Sequence, residues 1–426
     1  MSNLPTNLWR ATAAPLLNFA QLEGETRADV TVIGGGIMGA ITALTLAQSG
    51  VSVALIEAER IGEGASSRPG GFVVPHFTFA GPAQAIASLG ATGERLVQAV
   101  GHSATRVFDL IKQHDIHCDA QQGGWYQPAA GKIAWDRVRA VAEDWQAHGF
   151  NVDIMNGEET RARTGVGGYT GSWMVPTGGT LHPLNYTIGL VLAGHKAGVR
   201  VYESTPATAI TRNGQWFRIT TPRGAILTER VINCTNAQAN GLAPEFEKSI
   251  VRMKIWQCAT TPIPVHERAR LFKNGESLSD TRGNLFTYRF DRDWRLITGA
   301  VTAFGMPGQM AAHVMAKRLH KHLGFSAVPT IDYLWSGKAS VTRSRLPEIV
   351  IGNDGIISLS ACNGRGIALS TVLGEAVAKA VSANNFDALP APVVKPKGGL
   401  DITLQQTLAP FYPYYSCVTD WLNERA

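Results

Sequence analysis

From Val30 to Ile56 the chain reads VTVIGGGIMGAITALTLAQSGVSVALI, without one charged residue. This stretch restricts the fold more than any other. Its length would allow a membrane span, which takes about 20 apolar residues. Its punctuation argues against one. Val30 to Ile33 is a short β-branched run suited to a buried parallel strand. Gly34, Gly35 and Gly36 break that run. Ile37, Ala40, Ile41, Leu44 and Ala47 then recur at the spacing of a helix that buries one side. Ser49 and Gly50 end the helix, and Val51 to Ile56 reads as a second strand.

The result is a βαβ unit carrying Gly34-x-Gly36-x-x-Gly39, with Glu57 closing the second strand. Gly34 makes a tight turn, Gly36 admits a pyrophosphate to the backbone, and Gly39 lets helix pack on strand. Ile37 and Met38 open the helix, whose N-terminus offers free N–H groups to phosphate. Glu57 is placed to accept a ribose hydroxyl. The stretch is therefore expected to cradle a dinucleotide rather than to cross a membrane.

A chain of 426 residues has room for two domains or one large composite one. The formal charge of +6 comes without a long Lys/Arg run, so no nucleic-acid face is expected. Five cysteines, none in a CxxC pair, do not suit a disulfide framework. No basic stretch with an apolar core opens the chain. The expectation is a reduced, cytoplasmic, soluble protein without an integral membrane segment. His114, His117 and Cys118 cluster in QHDIHCDA but lack a second ligand pair, so no metal site is expected.

Residues from about 82 to 150 read as mainly helical. GGTLHPLNYTIGLVLAGHKAGVRVYEST reads as turn, helix and strand, and RVINCTNA as a strand ending in a small-residue turn. KIWQCATTPIP and NLFTYRFDRDWRLITGAV alternate apolar and polar residues as antiparallel strands do. GIISLSACNGRGIALSTVLGEAVAKAV is strand, glycine turn and helix. Two strand–glycine–helix units thus bracket helical and antiparallel material.

Taken together, DVTVIGGGIMG with Glu57, RIGEGASSRPGG, IHCDAQQGG, GGTLHPLNYTIGL, VINCTNA, TRSRLPEI and NGRGIALS resemble the D-amino-acid-oxidase-type FAD-dependent oxidoreductases, from Asp29 to about Ala380. The resemblance implies an α/β fold. A Rossmann-like FAD domain of glutathione-reductase type would comprise residues 1–80, 160–240 and 335–385. A discontinuous α+β substrate domain with an antiparallel sheet would comprise 81–159 and 241–334, and 386–426 would pack on the body.

The resemblance also implies site residues. Ala58 and Arg60 would join Glu57 beside the cofactor. Ser66, Arg68, Gly70, Gly71 and Phe72 would lay a backbone loop along the ribityl and phosphate region. Ala207 would contact adenine, Thr235 and Asn236 would end a strand beside the dinucleotide, and Gly337 would touch the cofactor. Asn363, Gly364, Arg365, Gly366 and Ile367 would aim a helix N-terminus at the flavin pyrimidine, where Arg365 could stabilise charge on the reduced ring. His76, Lys254, Tyr288 and Arg289 are the candidates for direct contact with substrate. Pro69, Phe72 and Arg365 depart from the family's usual Asn, Gln and His.

Ala339 stands where some relatives carry a flavin-linked cysteine, so non-covalent FAD is expected. Cys362 is read as a small buried residue near the flavin. The implied reaction is oxidation of an amine or amino acid C–N bond, by hydride transfer to flavin N5, to an imine that hydrolyses. A gamma-glutamylputrescine-like or other amine donor is favoured, with oxygen or another electron acceptor. Sarcosine-, proline- or pipecolate-type secondary amino acids, glycine and D-amino acids are alternatives. From other classes, an NAD-dependent dehydrogenase and a non-catalytic flavoprotein subunit remain open.

Overall fold

The computed structural model describes residues 7–14, 18–239, 241–284, 286–301, 306–360 and 363–395. Cys362, Cys417 and most of the expected C-terminal extension, from 396 onward, lie outside these. The remainder is organised around two sheets.

The first sheet runs Val393–Val394, Glu348–Ile351, Ile357–Ser360, Gly224–Asn233, Gly24–Ile33, Val53–Ile56, Arg200–Tyr202. Gly24–Ile33 lies parallel to both neighbours. Val30 to Ile33 are all buried, which is why that run carries no polar alternation. A hairpin of Ala209–Asn213 and Trp216–Thr220 runs antiparallel along Gly224–Asn233. Val393–Val394 adds a short edge strand parallel to Glu348–Ile351.

Helix Ile37–Gln48 is buried from Ile37 through Thr45 and Leu46. It packs on both Pro183–Lys196 and Gly366–Ala383. The contact with Gly366–Ala383 is close because Gly374 meets it: a Cβ there would come within 2.7 Å of Ile41 and 2.9 Å of the Met38 carbonyl. By length and composition Gly366–Ala383 is apolar enough to span a membrane, yet 61% of it is buried inside the protein. Its apolar character is accounted for by these helix contacts.

The second sheet runs Ile331–Thr342, Ile250–Pro262, Arg295–Ala300, Thr287–Phe290, Ser277–Ser279, Trp125–Ala129, Gly171–Val175, Asp153–Asn156. Every pairing is antiparallel except that of Ser277–Ser279 with Trp125–Ala129. Two segments fall across the boundaries drawn from sequence. Gly171–Val175, inside 160–240, pairs with Trp125–Ala129. Ile331–Thr342 pairs with Ile250–Pro262 in continuous register from Ile250↔Thr342 to Cys258↔Leu334, so the second sheet extends past 335. Strand Trp125–Ala129 also interrupts the expected helical run.

Candidate functional site

A cavity of 1680 Å³ lies between the two sheets. That exceeds the roughly 300–1,000 Å³ of a drug-sized ligand site and leaves room for a dinucleotide together with a small donor.

At the first glycine turn each glycine meets a distinct constraint. Gly34 holds φ +108° against Cys234, a conformation that a side chain resists. A Cβ on Gly39 would lie 1.9 Å from the Gly34 carbonyl oxygen. Gly39 is thus a packing glycine and does not line the cavity. A Cβ on Gly36 would lie 2.7 Å from Ser66 Oγ, at the cavity wall.

The amides here are shared out. Gly35 N donates to Glu57 Oε2 at 2.7 Å, and Ile37 N to Ser66 Oγ at 2.9 Å. The amides of Gly36 and Met38 donate to no described protein group. Glu57 Oε1 accepts from Glu59 N at 3.0 Å. Burial raises the Glu57 carboxyl above its ordinary range, and the amides of Glu59 and Gly35 pull it back. Ala58, Ala207, Thr235 and Asn236 line the cavity with it. Arg60 does not line it; its Nε lies 3.8 Å from the buried Glu203 carboxylate.

The loop after the second strand lines the cavity through Ser66, Arg68, Gly70 and Phe72. Arg68 is tied to Glu63 at 2.7 Å. Gly71, at φ +81°, faces away, and a Cβ there would strike Arg289 and the Leu181 carbonyl.

At the second glycine turn Asn363 Oδ1 accepts Thr342 N at 2.9 Å, and its carbonyl accepts Thr78 Oγ1 at 2.6 Å. Helix Gly366–Ala383 then begins with no side-chain cap. Its N-terminal residues, with Gly337 and Ile367, line the cavity. Asn363 Nδ2 and Gln257 Oε1, both on cavity-lining residues, are buried with no partner among the described residues. Uncapped helix starts, glycines that would otherwise fill the space and orphaned polar atoms fit a polar, phosphate-bearing group lying along this cavity.

His76 and Arg365 meet at the wall. His76 is 2% exposed and packs against Trp125 and Trp173, with ring centroids 4.3 and 4.7 Å away. His76 Nδ1 lies 2.6 Å from Phe77 O, and Arg365 Nη1 meets both ring nitrogens. Arg365 Nη1 also donates to Phe77 O at 2.8 Å, and the guanidinium lies 4.9 Å from the Trp125 ring centroid. No carboxylate pairs with Arg365 among the described residues, and its Nε and Nη2 donate to no described group. Burial pulls it down to about 9, so it stays charged at neutral pH.

Three candidates are not where the sequence reading put them. Lys254 faces out, its Nζ 4.5 Å from the Trp256 ring centroid. Strand alternation decides this: Val251, Met253, Ile255 and Gln257 line the cavity, and Lys254 has the other parity. Tyr288 is fully buried in a core with Leu278 and Leu296, away from the cavity. Arg289 sits behind the loop, donating to Gly71 O at 2.9 Å and Leu181 O at 2.8 Å.

The cavity instead brings in Gln127, Arg137, Asp280 and Arg282, which the sequence reading missed. Asp280 takes Arg282 and the Tyr169 hydroxyl, and burial pushes its carboxyl up to about 6. The turn DTRG was visible as a polar cluster between strands, but nothing marked it as facing the cavity. His117 is exposed while Cys118 is buried, and no group of metal-ligating side chains occurs among the described residues.

The family of FAD dependent oxidoreductases, DAO, matches residues 29–380. The chain belongs to this family and is an FAD-dependent oxidoreductase. It is 28% identical over 397 residues to gamma-glutamylputrescine oxidoreductase of Escherichia coli (strain K12), covering 91% of this chain and 92% of the relative. It is 27% identical to the probable oxidoreductase OrdL of Rhizobium meliloti (strain 1021), over 85% and 84%. Among solved structures, L-amino acid deaminase from Proteus vulgaris matches with a TM-score of 0.73 at 17% identity, over 88% of this chain and 96% of that one. L-proline dehydrogenase from P. horikoshii matches with 0.72 at 18% identity, over 87% and 98%. These structures share the fold of two sheets described above.

One consequence concerns His76. Burial, then the Arg365 charge, hold its imidazole well below the free value of 6.5. The unfolded chain therefore binds more protons as pH falls below 6.5, and folded-state stability drops down to the depressed pKa. We expect His76→Gln to flatten this loss by up to about 1.4 kcal/mol per pH unit. Urea midpoints of wild type and variant between pH 7.5 and 5 check it. Parallel curves would show that His76 is not held neutral.

Proposed function

We propose that this enzyme oxidises the C–N bond of an amine donor that carries a carboxylate, using non-covalently held FAD. The observation that carries the reading is Arg365: a half-buried cation on the cavity wall, without a carboxylate partner among the described residues, with Nε and Nη2 uncommitted to any described group. An isolated buried charge is costly unless a ligand supplies the counter-charge. A guanidinium suits a carboxylate through paired N–H donors.

Bound FAD supplies the redox step by accepting a hydride from the donor carbon. The chain's own residues orient and exclude. Gly36 and Met38 amides and Glu57 would hold the adenosine and pyrophosphate portion, and the uncapped start of Gly366–Ala383 would face the ring that gains negative charge. His76, kept neutral, sets its ring nitrogens against Arg365 Nη1 and adds no second charge. Trp125, Trp173 and Phe77 make that wall dry. A hydride leaves the donor carbon as the nitrogen lone pair forms a C=N bond, so the donor must arrive with its amine neutral, and water hydrolyses the imine afterwards.

Non-covalent attachment is supported by Ala339 at the wall. Cys234 is the one cysteine among the described lining residues, and burial pushes its thiol up to about 12. A carboxylate requirement retains gamma-glutamylated amines, the class named for the Escherichia coli relative, together with amino acids. It disfavours plain polyamines.

Matched donors test this. Turnover with a dye acceptor should favour gamma-glutamylputrescine over putrescine, or an amino acid over its decarboxylated amine, by about 30-fold or more in kcat/KM, the low end for a buried charge pair. Equal turnover within each pair would remove the carboxylate reading.

A further inference from the structure

Five successive carbonyls of the loop that borders the cavity are each held by a side chain from a distant part of the sequence. Asn7 Nδ2 donates to Ser67 O at 3.1 Å, Trp335 Nε1 to Arg68 O at 3.0 Å, and Trp9 Nε1 to Pro69 O at 2.8 Å. Arg289 Nη1 reaches Gly70 O at 3.4 Å and Gly71 O at 2.9 Å. All four donor residues are buried. They also touch one another. The Trp9 and Trp335 rings are 6.1 Å apart, and the Arg289 guanidinium lies 5.6 Å from the Trp9 ring centroid.

The N-terminal arm that supplies Asn7 and Trp9 is itself anchored. Ala14 N donates to Asn185 Oδ1 at 2.9 Å, Thr12 Oγ1 meets His182 Nε2 at 3.1 Å, and Arg10 pairs with Glu63.

In a trans peptide the carbonyl and the following N–H point in opposite directions. Capturing the carbonyl of Pro69 from behind therefore turns the Gly70 amide the other way. That amide donates to no described protein group. Pro69 removes the competing donor between it and Arg68.

We propose that Asn7, Trp9, Trp335 and Arg289 are positioning residues for FAD. They clamp the loop carbonyls outward and so present the Gly70 N–H group to the cofactor. The N-terminal arm is thereby part of the cofactor site, although none of its described residues lines the cavity. This rests on FAD as the occupant of the cavity.

The test is FAD titration of apoprotein by flavin fluorescence, with the visible spectrum of the bound flavin and circular dichroism of each apoprotein. Trp9→Phe keeps the ring and removes one donor, and should raise the FAD dissociation constant about fivefold. Arg289→Met removes a charged donor shared by two loop carbonyls and should raise it roughly tenfold or more. Both variants should shift the visible band of the bound flavin. Arg289→Lys, which can still donate to those carbonyls, should recover most of the affinity. Trp335→Phe carries the same test from the second sheet if Arg289→Met does not fold.

Folded apo-variants that bind FAD with wild-type affinity and spectrum would overturn the proposal. So would Arg289→Lys binding as weakly as Arg289→Met, because packing alone would then explain the loss. A folded wild-type apoprotein that takes up no FAD would instead overturn the cofactor reading on which the proposal rests.

Discussion

Replacing Gly36 with valine leaves the chain folded and strips it of FAD. The Cβ would point at Ser66 Oγ, 2.7 Å away, at the cavity wall beside the Gly36 and Met38 amides. A branched side chain there either displaces Ser66 or fills the space a phosphate needs. Overpacking costs about 1–3 kcal/mol, and losing hydrogen bonds to a charged group about 1.5–3 kcal/mol more, so FAD affinity should fall on the order of 100-fold or further. FAD titration followed by fluorescence, beside far-ultraviolet circular dichroism, reads both halves of the expectation. Gly39→Ala is the contrasting control. Its Cβ would lie 1.9 Å from the Gly34 carbonyl oxygen, a backbone atom, so the fold itself should weaken. Full FAD occupancy in Gly36→Val would contradict the cradle assignment.

Arg365→Met should lower kcat/KM for a carboxylate-bearing donor by about 100-fold or more, since removing one partner of a buried charge pair costs roughly 2–5 kcal/mol. A matched donor without a carboxylate should lose little. Arg365→Lys should recover part of the loss but not all, because an ammonium lacks the planar fork. The pattern across donors separates two roles for this residue. Selective loss places the guanidinium on the donor. An equal loss on both donors, with a lowered flavin potential, would place it on the reduced cofactor instead.

The first glycine turn was legible because its chemistry is local. Strand, turn, helix and acid follow one another within 28 residues from Val30 to Glu57, and each glycine's role follows from backbone geometry. The same holds for the turn at Asn363 to Gly366 and for the alternating strands of the second sheet. What was not legible depends on which face of a strand meets the cavity. Lys254 looked attractive as an isolated cation on a strand that roofs the site. The cavity takes the odd-numbered residues Val251, Met253, Ile255 and Gln257, and the sequence offers no origin for that parity because both faces carry apolar residues. Arg289 was found as important, but in the wrong role, because its partners are carbonyls more than 100 residues away. Pairing across long separations also moved Gly171–Val175 and Ile331–Thr342 into the second sheet.

The most direct measurement is anaerobic flavin bleaching of the FAD-loaded protein with matched donors. Gamma-glutamylputrescine or an amino acid should bleach the flavin absorbance, while putrescine or the corresponding decarboxylated amine should leave it nearly unchanged over the same interval. A loaded protein whose flavin is bleached by none of these donors, or equally fast by both members of every pair, would contradict oxidation of a carboxylate-bearing amine at this site.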